Sequence, residues 1–227
     1  MSANYDDEVQ IEMLRRWWHE NWKPLVFGVV IGLAAIIGWQ RWHAHRAAHE
    51  ADGSRMFGEL QQAVQAGKDD QVDQLAATLI KNYADTPYAG GSQLLLAALA
   101  VGQGRYDDAR SRLQWVVKNG IDAGTRALAK LRLAQVLWQL NQPDDALVQL
   151  SGLPAPFAAL ADQLRGDILA DQGRREQAYR AYHKALDQLP ADSSDRDTLT
   201  RKLDDLADAG NPSSAPAKPA AAASSRQ

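Results

Sequence analysis

Cysteine is absent from this sequence of 227 residues, and aromatic residues are scarce at 7%. Without cysteine the chain cannot form disulfide bonds, thiolate zinc sites or a cysteine nucleophile, although this absence does not fix the compartment. A basic excess is also missing, since the formal net charge is −3 and the pI is near 5.9. The charge balance therefore gives no electrostatic footprint for binding nucleic acid.

The motifs of common catalytic sites are missing as well. The sequence contains no Gly-rich phosphate loop, no His-Glu-x-x-His and no Gly-x-Ser-x-Gly. His183 is the only histidine after residue 53, and paired acids such as Asp107 and Asp108 fall at predicted helix starts, where the helix dipole favours them. We therefore predict no enzyme activity, no cofactor and no metal site.

One uncharged run stands out near the N-terminus. Residues 24–40 carry no charge, and every residue from 25 to 39 is apolar or glycine. As a helix this run is about 25 Å long, close to the ~30 Å hydrocarbon core of a bilayer. Trp22 precedes it, Trp39 is its last apolar residue, and Arg41 and Trp42 follow; such side chains anchor a helix at headgroup level. We predict a single membrane span at residues 24–42.

The preceding segment, residues 1–23, has the pattern of an amphipathic helix. Met13 and Trp17, and Trp18 and Trp22, recur at i, i+4 spacing between charged residues. We predict that this helix lies at the membrane surface before the chain turns into the span; a plain helical extension of the span is the alternative. Because the segment is rich in acidic residues and no small-residue cleavage site follows the apolar run, we expect a retained signal anchor rather than a cleaved signal peptide.

Two small residues within the span, Gly28 and Gly32, have the Gly-x-x-x-Gly spacing. This spacing would let another helix approach closely, although simple tolerance of glycine facing lipid explains it equally well. Three basic residues lie near each end of the span, so charge counting leaves the orientation open. Residues 43–53 are predicted to continue the helix as a stalk. The residues predicted to anchor the chain in the membrane are Trp17, Trp18, Trp22, Gly28, Gly32, Trp39 and Trp42.

From residue 54 onward the sequence repeats itself. Three turns align at Gly104, Asn141 and Gly173, and a weaker copy begins at Gly67. Each of these residues suits the position just after a helix. The residues five positions later recur at intervals of 32–37 residues, the scale of a helix-turn-helix repeat, and are Val72, Ala109, Ala146 and Ala178.

The last unit matches the tetratricopeptide pattern, in which small residues let paired helices approach and an aromatic residue fills the gap between pairs. Its matching residues are Gly166, Gly173, Ala178, Tyr182, Ala185 and Pro190, whereas Arg165 departs from the expected leucine. We predict an all-α fold: an N-terminal single transmembrane helix followed by a tetratricopeptide-like helical-repeat solenoid at residues 54–209. An antiparallel helix bundle without repeat register is the alternative. The predicted helices cover residues 54–66, 70–83, 87–102, 106–118, 123–140, 144–151, 157–172, 175–188 and 195–208.

The same register predicts a groove lined by the first helix of each unit, at which a partner protein would bind. Trp138 is the sharpest candidate within it, although a tryptophan packed between helices is an equal alternative. Thr86, just before Pro87, is predicted to be a helix N-cap. The last helix should cap the array, and residues 210–227 should be disordered because they hold too few apolar side chains to pack. The predicted groove residues are Leu94, Ala98, Leu131, Gln135, Trp138, Gln163 and Asp167.

The N-terminal segment resembles the YfgM family. The resemblance is carried by residues 12–21 (EMLRRWWHEN), by the Gly-rich span that ends in GWQRW, and by residues 82–89 (NYADTPYA). It covers essentially the whole chain except the tail after Gly210. Members of that family are ancillary subunits of the bacterial SecYEG translocon with a tetratricopeptide-like periplasmic domain.

The resemblance implies an inner-membrane protein with a cytoplasmic N-terminus and periplasmic repeats. Its partners would be the SecYEG translocon, the membrane-anchored periplasmic chaperone PpiD and unfolded secretory proteins, which it would help to hand to folding factors. Two other functions stay open: a periplasmic scaffold for another envelope assembly or cell-division complex, and an enzyme or ligand-binding protein whose site is hidden in ordinary residues.

Overall fold

The computed structural model of the chain describes residues 3–208. Their regular secondary structure is entirely α-helical, and no strand occurs among them. The helices are α1 (Ala3–Gln65), α2 (Asp69–Asn82), α3 (Pro87–Gly102), α4 (Tyr106–Asn119), α5 (Ala123–Gln139), α6 (Pro143–Gln149), α7 (Ala155–Asp171), α8 (Arg175–Gln188) and α9 (Asp195–Asp208). The predicted all-α class is confirmed, and α2 to α9 begin and end within two residues of the predicted bounds. The predicted disordered tail, residues 210–227, lies outside the described residues.

Helix α1 differs from the expectation at its N-terminal end. The turn predicted between an amphipathic helix and the span is wrong, because the helix is continuous from Ala3 to Gln65 and follows the alternative of a plain helical extension. The sequence before Gly28 contains no glycine, and a proline such as Pro24 can be accommodated within a helix as a kink. The helix also continues through residues 43–53, as predicted for the stalk.

The chain divides into two compact units, Met1–Arg55 and Met56–Gln227. Within the first unit α1 carries the apolar run, and among the described residues one helical stretch, Val26–Gln65, is long and apolar enough to cross a membrane. Its large apolar side chains are exposed; Phe27, Ile31 and Ile37 are 68%, 54% and 56% accessible. Exposed apolar residues all around a helix are typical of a segment surrounded by lipid.

In the second unit the helices pack as successive neighbours. Helix α3 packs on α4, α4 on α5, α5 on α6, α7 on α8 and α8 on α9. The largest core cluster joins α3 to α7 through residues such as Leu113, Val136 and Ile168, while Leu60 and Leu79 lie in a second cluster at the N-terminal end of this unit. The outer helices α4 and α8 bury one stripe of residues each, whereas α3 and α5 are buried on more than one face because they lie between neighbours.

The four aligned turns share one backbone geometry, which confirms the repeat register. Gly67, Gly104, Asn141 and Gly173 all have positive φ angles, of 64°, 72°, 57° and 72°. In each turn the following residue donates its N–H to the carbonyl five positions earlier, which closes the helix in the manner of a Schellman motif. These bonds are Lys68 to Ala63 (3.0 Å), Arg105 to Ala100 (2.8 Å), Gln142 to Leu137 (2.9 Å) and Arg174 to Leu169 (2.8 Å).

The start of α3 differs in detail from the prediction. Thr86 is the N-cap residue by position, but its hydroxyl makes no capping bond. It instead donates to the carbonyl oxygen of Tyr83 at 2.7 Å, in the turn after α2. Thr86 is a buried residue, 2% exposed, so the bond to Tyr83 satisfies a hydroxyl that is largely shielded from water.

Candidate interaction groove

A groove lies within the second unit, where α3, α5 and α7 run side by side. Its volume is about 700 Å³. Ala98 and Val101 of α3 form one wall, Gln135 and Trp138 of α5 the middle, and Asp167 of α7 the far wall. Tyr106, at the start of α4, also borders it. The groove is therefore mostly apolar with a few polar groups, which is the usual character of a ligand site.

Four of the seven predicted groove residues line this groove: Ala98, Gln135, Trp138 and Asp167. Leu94 and Leu131 are instead buried in the core, at 9% and 8% exposure. Each of the two leucines lies one helical turn before a lining residue, at a level where neighbouring helices cover the same face. Gln163 is half-buried and is not among the lining residues. The role of all seven in binding a partner remains a prediction.

Sequence reasoning missed several lining residues, among them Val101, Tyr106, Arg132 and Gln139. The signal for three of them was available, because Val101 follows Ala98 by three residues, Arg132 precedes Gln135 by three and Gln139 follows it by four. Residues at these spacings share a helix face. Tyr106 could not be found this way, since it belongs to α4, the second helix of its unit.

Trp138 combines both of the roles that the sequence left open. It is half-buried and packs against the largest core cluster, yet its ring also borders the groove. Its indole Nε1–H donates a hydrogen bond to Oδ2 of Asp171, at the end of α7, at 2.9 Å. This bond fixes the ring plane, so the groove presents a rigid aromatic wall.

Asp167 links the groove to the C-terminal helices. Its Oδ1 accepts a hydrogen bond from the hydroxyl of Tyr182 at 2.7 Å and another from Nζ of Lys202 on α9 at 2.5 Å. The Lys202 nitrogen also lies 5.5 Å from the centre of the Tyr182 ring. Burial, together with the hydrogen bond to Asp167, raises the pKa of Tyr182 far above its ordinary range.

Gly166 explains why Tyr182 can lie there. A Cβ atom added to Gly166 would meet the tyrosine ring at 2.4 Å. The aromatic ring of α8 thus lies directly on the backbone of α7, as the tetratricopeptide pattern predicts. Because the ring is held in place, its hydroxyl reaches Asp167, the residue that follows Gly166 on α7.

A buried carboxylate secures the other end of the α7–α8 contact. Asp162 is 2% exposed. Its Oδ2 accepts hydrogen bonds from Gln188 at 2.8 Å and Lys184 at 3.0 Å, while Arg165 binds its Oδ1. Arg165, the residue that departs from the tetratricopeptide pattern, also donates to the carbonyl of Leu150 at 2.9 Å. These bonds to Asp162 and Leu150 satisfy the charged side chain that stands where the repeat pattern has a leucine.

The groove has the chemistry of a binding surface. Its charged groups are Arg132 and Asp167, which lie on different helices, and its amides are Gln135 and Gln139. Among the residues that the structure describes, no three His, Asp or Glu side chains cluster as metal ligands would. An arrangement of this kind can hold an apolar peptide segment and pair its backbone or charges through a few polar groups.

The predicted membrane anchors can also be located. Trp17, Trp18 and Trp22 are 51%, 53% and 41% exposed, and Trp39 and Trp42 are 64% and 49% exposed. A Cβ added to Gly28 or Gly32 would meet nothing within 4 Å. These side chains are thus accessible to lipid, and their anchoring role stays a prediction.

Comparison with known proteins gives a consistent result. The profile of the family described as "Tetratricopeptide repeat-like domain" matches residues 15–208. A protein of Escherichia coli (strain K12) named "Ancillary SecYEG translocon subunit" is 30% identical over 187 residues, which are 82% of this chain and 90% of the relative. A protein of the same name from Neisseria gonorrhoeae is 27% identical over 208 residues, 91% of this chain and all of the relative, and one from Haemophilus influenzae is 27% identical over 187 residues, 82% and 91%.

The fold, the groove and the profile match define a tetratricopeptide repeat-like protein with one N-terminal helix suited to a membrane. More narrowly, the chain belongs to the family of the ancillary SecYEG translocon subunits. The resemblance to the YfgM family found in the sequence is thereby confirmed.

Proposed function

We propose that this chain is a non-enzymatic, single-pass protein of the bacterial inner membrane that acts as an ancillary subunit of the SecYEG translocon. The observation that carries the proposal is the extent of the similarity: relatives of that name align with 82% to 91% of this chain. The alignment with the Neisseria protein takes in the whole relative, and the profile match begins at residue 15, before the apolar run.

In more detail, the N-terminus lies in the cytoplasm and the repeats lie in the periplasm. The chain assists the transfer of emerging secretory proteins to periplasmic folding factors, among them the membrane-anchored chaperone PpiD. Anchoring the repeat domain beside the channel raises the effective concentration of its groove near emerging chains, so weak contacts suffice.

The groove supports this role because its chemistry suits an extended or short helical segment of another protein. Ala98 and Val101 leave room for side chains of the bound segment, and Trp138 offers a rigid aromatic surface of the type that often dominates binding energy. Gln135 and Gln139 supply amides that pair with an exposed backbone. A mostly apolar groove with few charges tolerates varied sequences, as a translocon accessory requires.

The test is co-purification from mildly solubilised membranes, with mass spectrometry of the recovered partners. We compare the full-length chain with a version in which residues 1–42 are replaced by an unrelated membrane anchor. We expect SecYEG with the full-length chain alone and the chaperone with both, which would assign translocon docking to the native membrane segment. If neither preparation recovers translocon subunits, the proposal fails; recovery of another envelope complex would favour the scaffold function.

A pair of matched variants tests the groove. Trp138→Ala removes a ring from the groove, whereas Trp115→Ala removes an equal ring that packs against the same core cluster from α4 and does not line the groove. We expect Trp138→Ala to lower the affinity for the chaperone recovered by co-purification by at least about 30-fold, in line with an aromatic anchor worth about 2 kcal/mol or more. Equal losses for both variants would indicate general destabilisation and contradict the assignment.

A further inference from the structure

A cluster of aromatic and basic side chains follows the apolar run on one face of α1. We name it the collar, and it consists of Trp39, Trp42, His43 and Arg46. The Trp39 and His43 rings lie 4.5 Å apart between centres, Trp42 and His43 5.1 Å, and Trp39 and Trp42 5.8 Å. The guanidinium carbon of Arg46 lies 5.1 Å from the centre of the Trp42 ring. Spacings of three, four and seven residues place all four side chains on the same helix face.

The collar lies at the depth of the lipid headgroups if the apolar run spans the membrane. It begins with the last apolar residue of that run, and its eight positions rise about 10 Å along the helix. The headgroup layer on one side of a bilayer is roughly 5–8 Å thick, since the total thickness is ~40–45 Å around a ~30 Å core. The collar is also accessible, since Trp39 and Trp42 are 64% and 49% exposed.

The charge of this region has one sign. Residues 21–49 contain no Asp or Glu, whereas Arg41 and Arg46 follow the apolar run. A guanidinium matches two phosphate oxygens at once, and a cation–π contact restricts it without using its hydrogen-bond donors. Two indole N–H groups and an imidazole add donors at the same level. The collar thus places the Arg46 guanidinium, restrained by the Trp42 ring, beside several other hydrogen-bond donors on one helix face.

We propose that the collar binds the phosphate of an anionic phospholipid headgroup where the span leaves the membrane. Trp39 and Trp42 lie against the glycerol and upper acyl region, and Arg46 and His43 contact the phosphate. The site is distinct from general interfacial anchoring because it depends on one face of the helix. It therefore gives the chain a preference for anionic lipid that is independent of any protein partner.

The experiment measures lipid binding by the full-length chain in mild detergent with native mass spectrometry. Phosphatidylglycerol and phosphatidylcholine are titrated separately, and the apparent Kd of the first bound lipid is compared. We expect the wild-type chain to bind phosphatidylglycerol more tightly. Arg46→Gln should raise the Kd for phosphatidylglycerol by about fivefold, the effect of one basic residue at an anionic surface. The Kd for phosphatidylcholine should change less, because its choline group offsets the charge of the phosphate.

Arg41 provides the matched control. It lies five residues before Arg46, which places it about 7.5 Å nearer the apolar run, within the length of the collar, and about 140° around the helix on another face. Arg41→Gln removes the same charge, and we expect it to change the Kd by less than twofold. A second pair compares Trp42→Leu, which should weaken phosphatidylglycerol binding, with Trp22→Leu at the opposite end of the span, which should not.

Three results would overturn the proposal. Equal effects of Arg41→Gln and Arg46→Gln would mean that diffuse charge, and not the collar, attracts the lipid. Equal Kd values of the wild-type chain for the two lipids would remove the headgroup preference. In native membranes, a photo-crosslinker that replaces Trp39 should react with lipid; reaction with a polypeptide alone would mean that a protein helix covers this face.

Discussion

Gly166 decides how closely α7 and α8 approach, and its role shows how a missing side chain can organise a helix pair. The Tyr182 ring occupies the space that any Cβ at position 166 would need, and the ring then delivers its hydroxyl to Asp167. Gly166 thereby allows the Tyr182 ring to be buried and its hydroxyl to position the Asp167 carboxylate, which lines the groove.

Gly166→Ala should destabilise the repeat domain by about 1–3 kcal/mol, because the tyrosine ring or the helix backbone must move away from the added methyl group. Gly58→Ala is the control, since that position is also helical and a Cβ there would meet nothing within 4 Å. The control should be neutral or up to about 1 kcal/mol more stable, because alanine favours helix. Urea unfolding followed by circular dichroism measures both; equal stability of the two variants would contradict the close contact.

A second prediction at the residue scale concerns the buried carboxylate of Asp162. Asp162→Ala removes an acceptor from Gln188, Lys184 and Arg165 at once, and we expect a loss of roughly 1–3 kcal/mol. The loss stays below that of a fully buried ion pair because Lys184 is 65% exposed and water can take up its charge. Asp187→Ala, on an exposed position of α8, should change the unfolding midpoint very little.

At the scale of the helix, capping was the least predictable feature. Thr86 has the residue type and the position of an N-cap, yet its hydroxyl bonds back to Tyr83. Asp122, which sequence reasoning did not single out, caps α5: its Oδ1 accepts from the backbone N–H of Thr125 at 2.7 Å. Whether a short polar side chain bonds forward or backward depends on the turn before the helix, and local sequence does not fix that turn.

The cap of α5 should give a pH-dependent term to stability. Hydrogen bonds from Thr125 lower the pKa of Asp122 below its ordinary value of about 3.9. A depressed pKa means that this stabilisation is present above about pH 4 and is lost as the pH falls through the folded-state value. Asp122→Ala should therefore cost about 1 kcal/mol at pH 7 and less at pH 3.

Asp122→Asn separates the cap from its charge. Asparagine caps a helix about as well as aspartate but does not titrate, so this variant should keep most of the stability and lose only the pH dependence that Asp122 contributes. Unfolding by urea at pH 7 and pH 3 provides the comparison. If Asp122→Ala lost the same amount at both values of pH, the ionised cap would not be the source.

At the scale of the whole molecule, the proposed orientation can be tested directly because the chain has no cysteine of its own. Single cysteines at Glu12 and Ser111, both exposed, mark the two sides of the span. With the outer membrane permeabilised, a membrane-impermeant maleimide should label Ser111→Cys at once. Glu12→Cys should react only after the inner membrane is disrupted, and the opposite pattern would reverse the proposed topology.

Much of the fold could be predicted because its signals are local. Left-handed turn residues at Gly67, Gly104 and Gly173 recur in phase with small residues, and each part of this pattern constrains only the backbone around it. The continuity of α1 was harder to predict, since the competing choice of a turn near Pro24 depends on the balance of several weak propensities.

The sequence by itself determined the helical class, the place of the apolar run and the repeat register, because periodicity and turn chemistry act within a few residues. Only the tertiary structure decided which side chains the groove exposes. Leu94 and Ala98 share a face of α3, yet neighbouring helices cover the first and leave the second open. That outcome depends on how closely helices far apart in sequence approach one another, and contacts such as Trp138 with Asp171 arise only when they do.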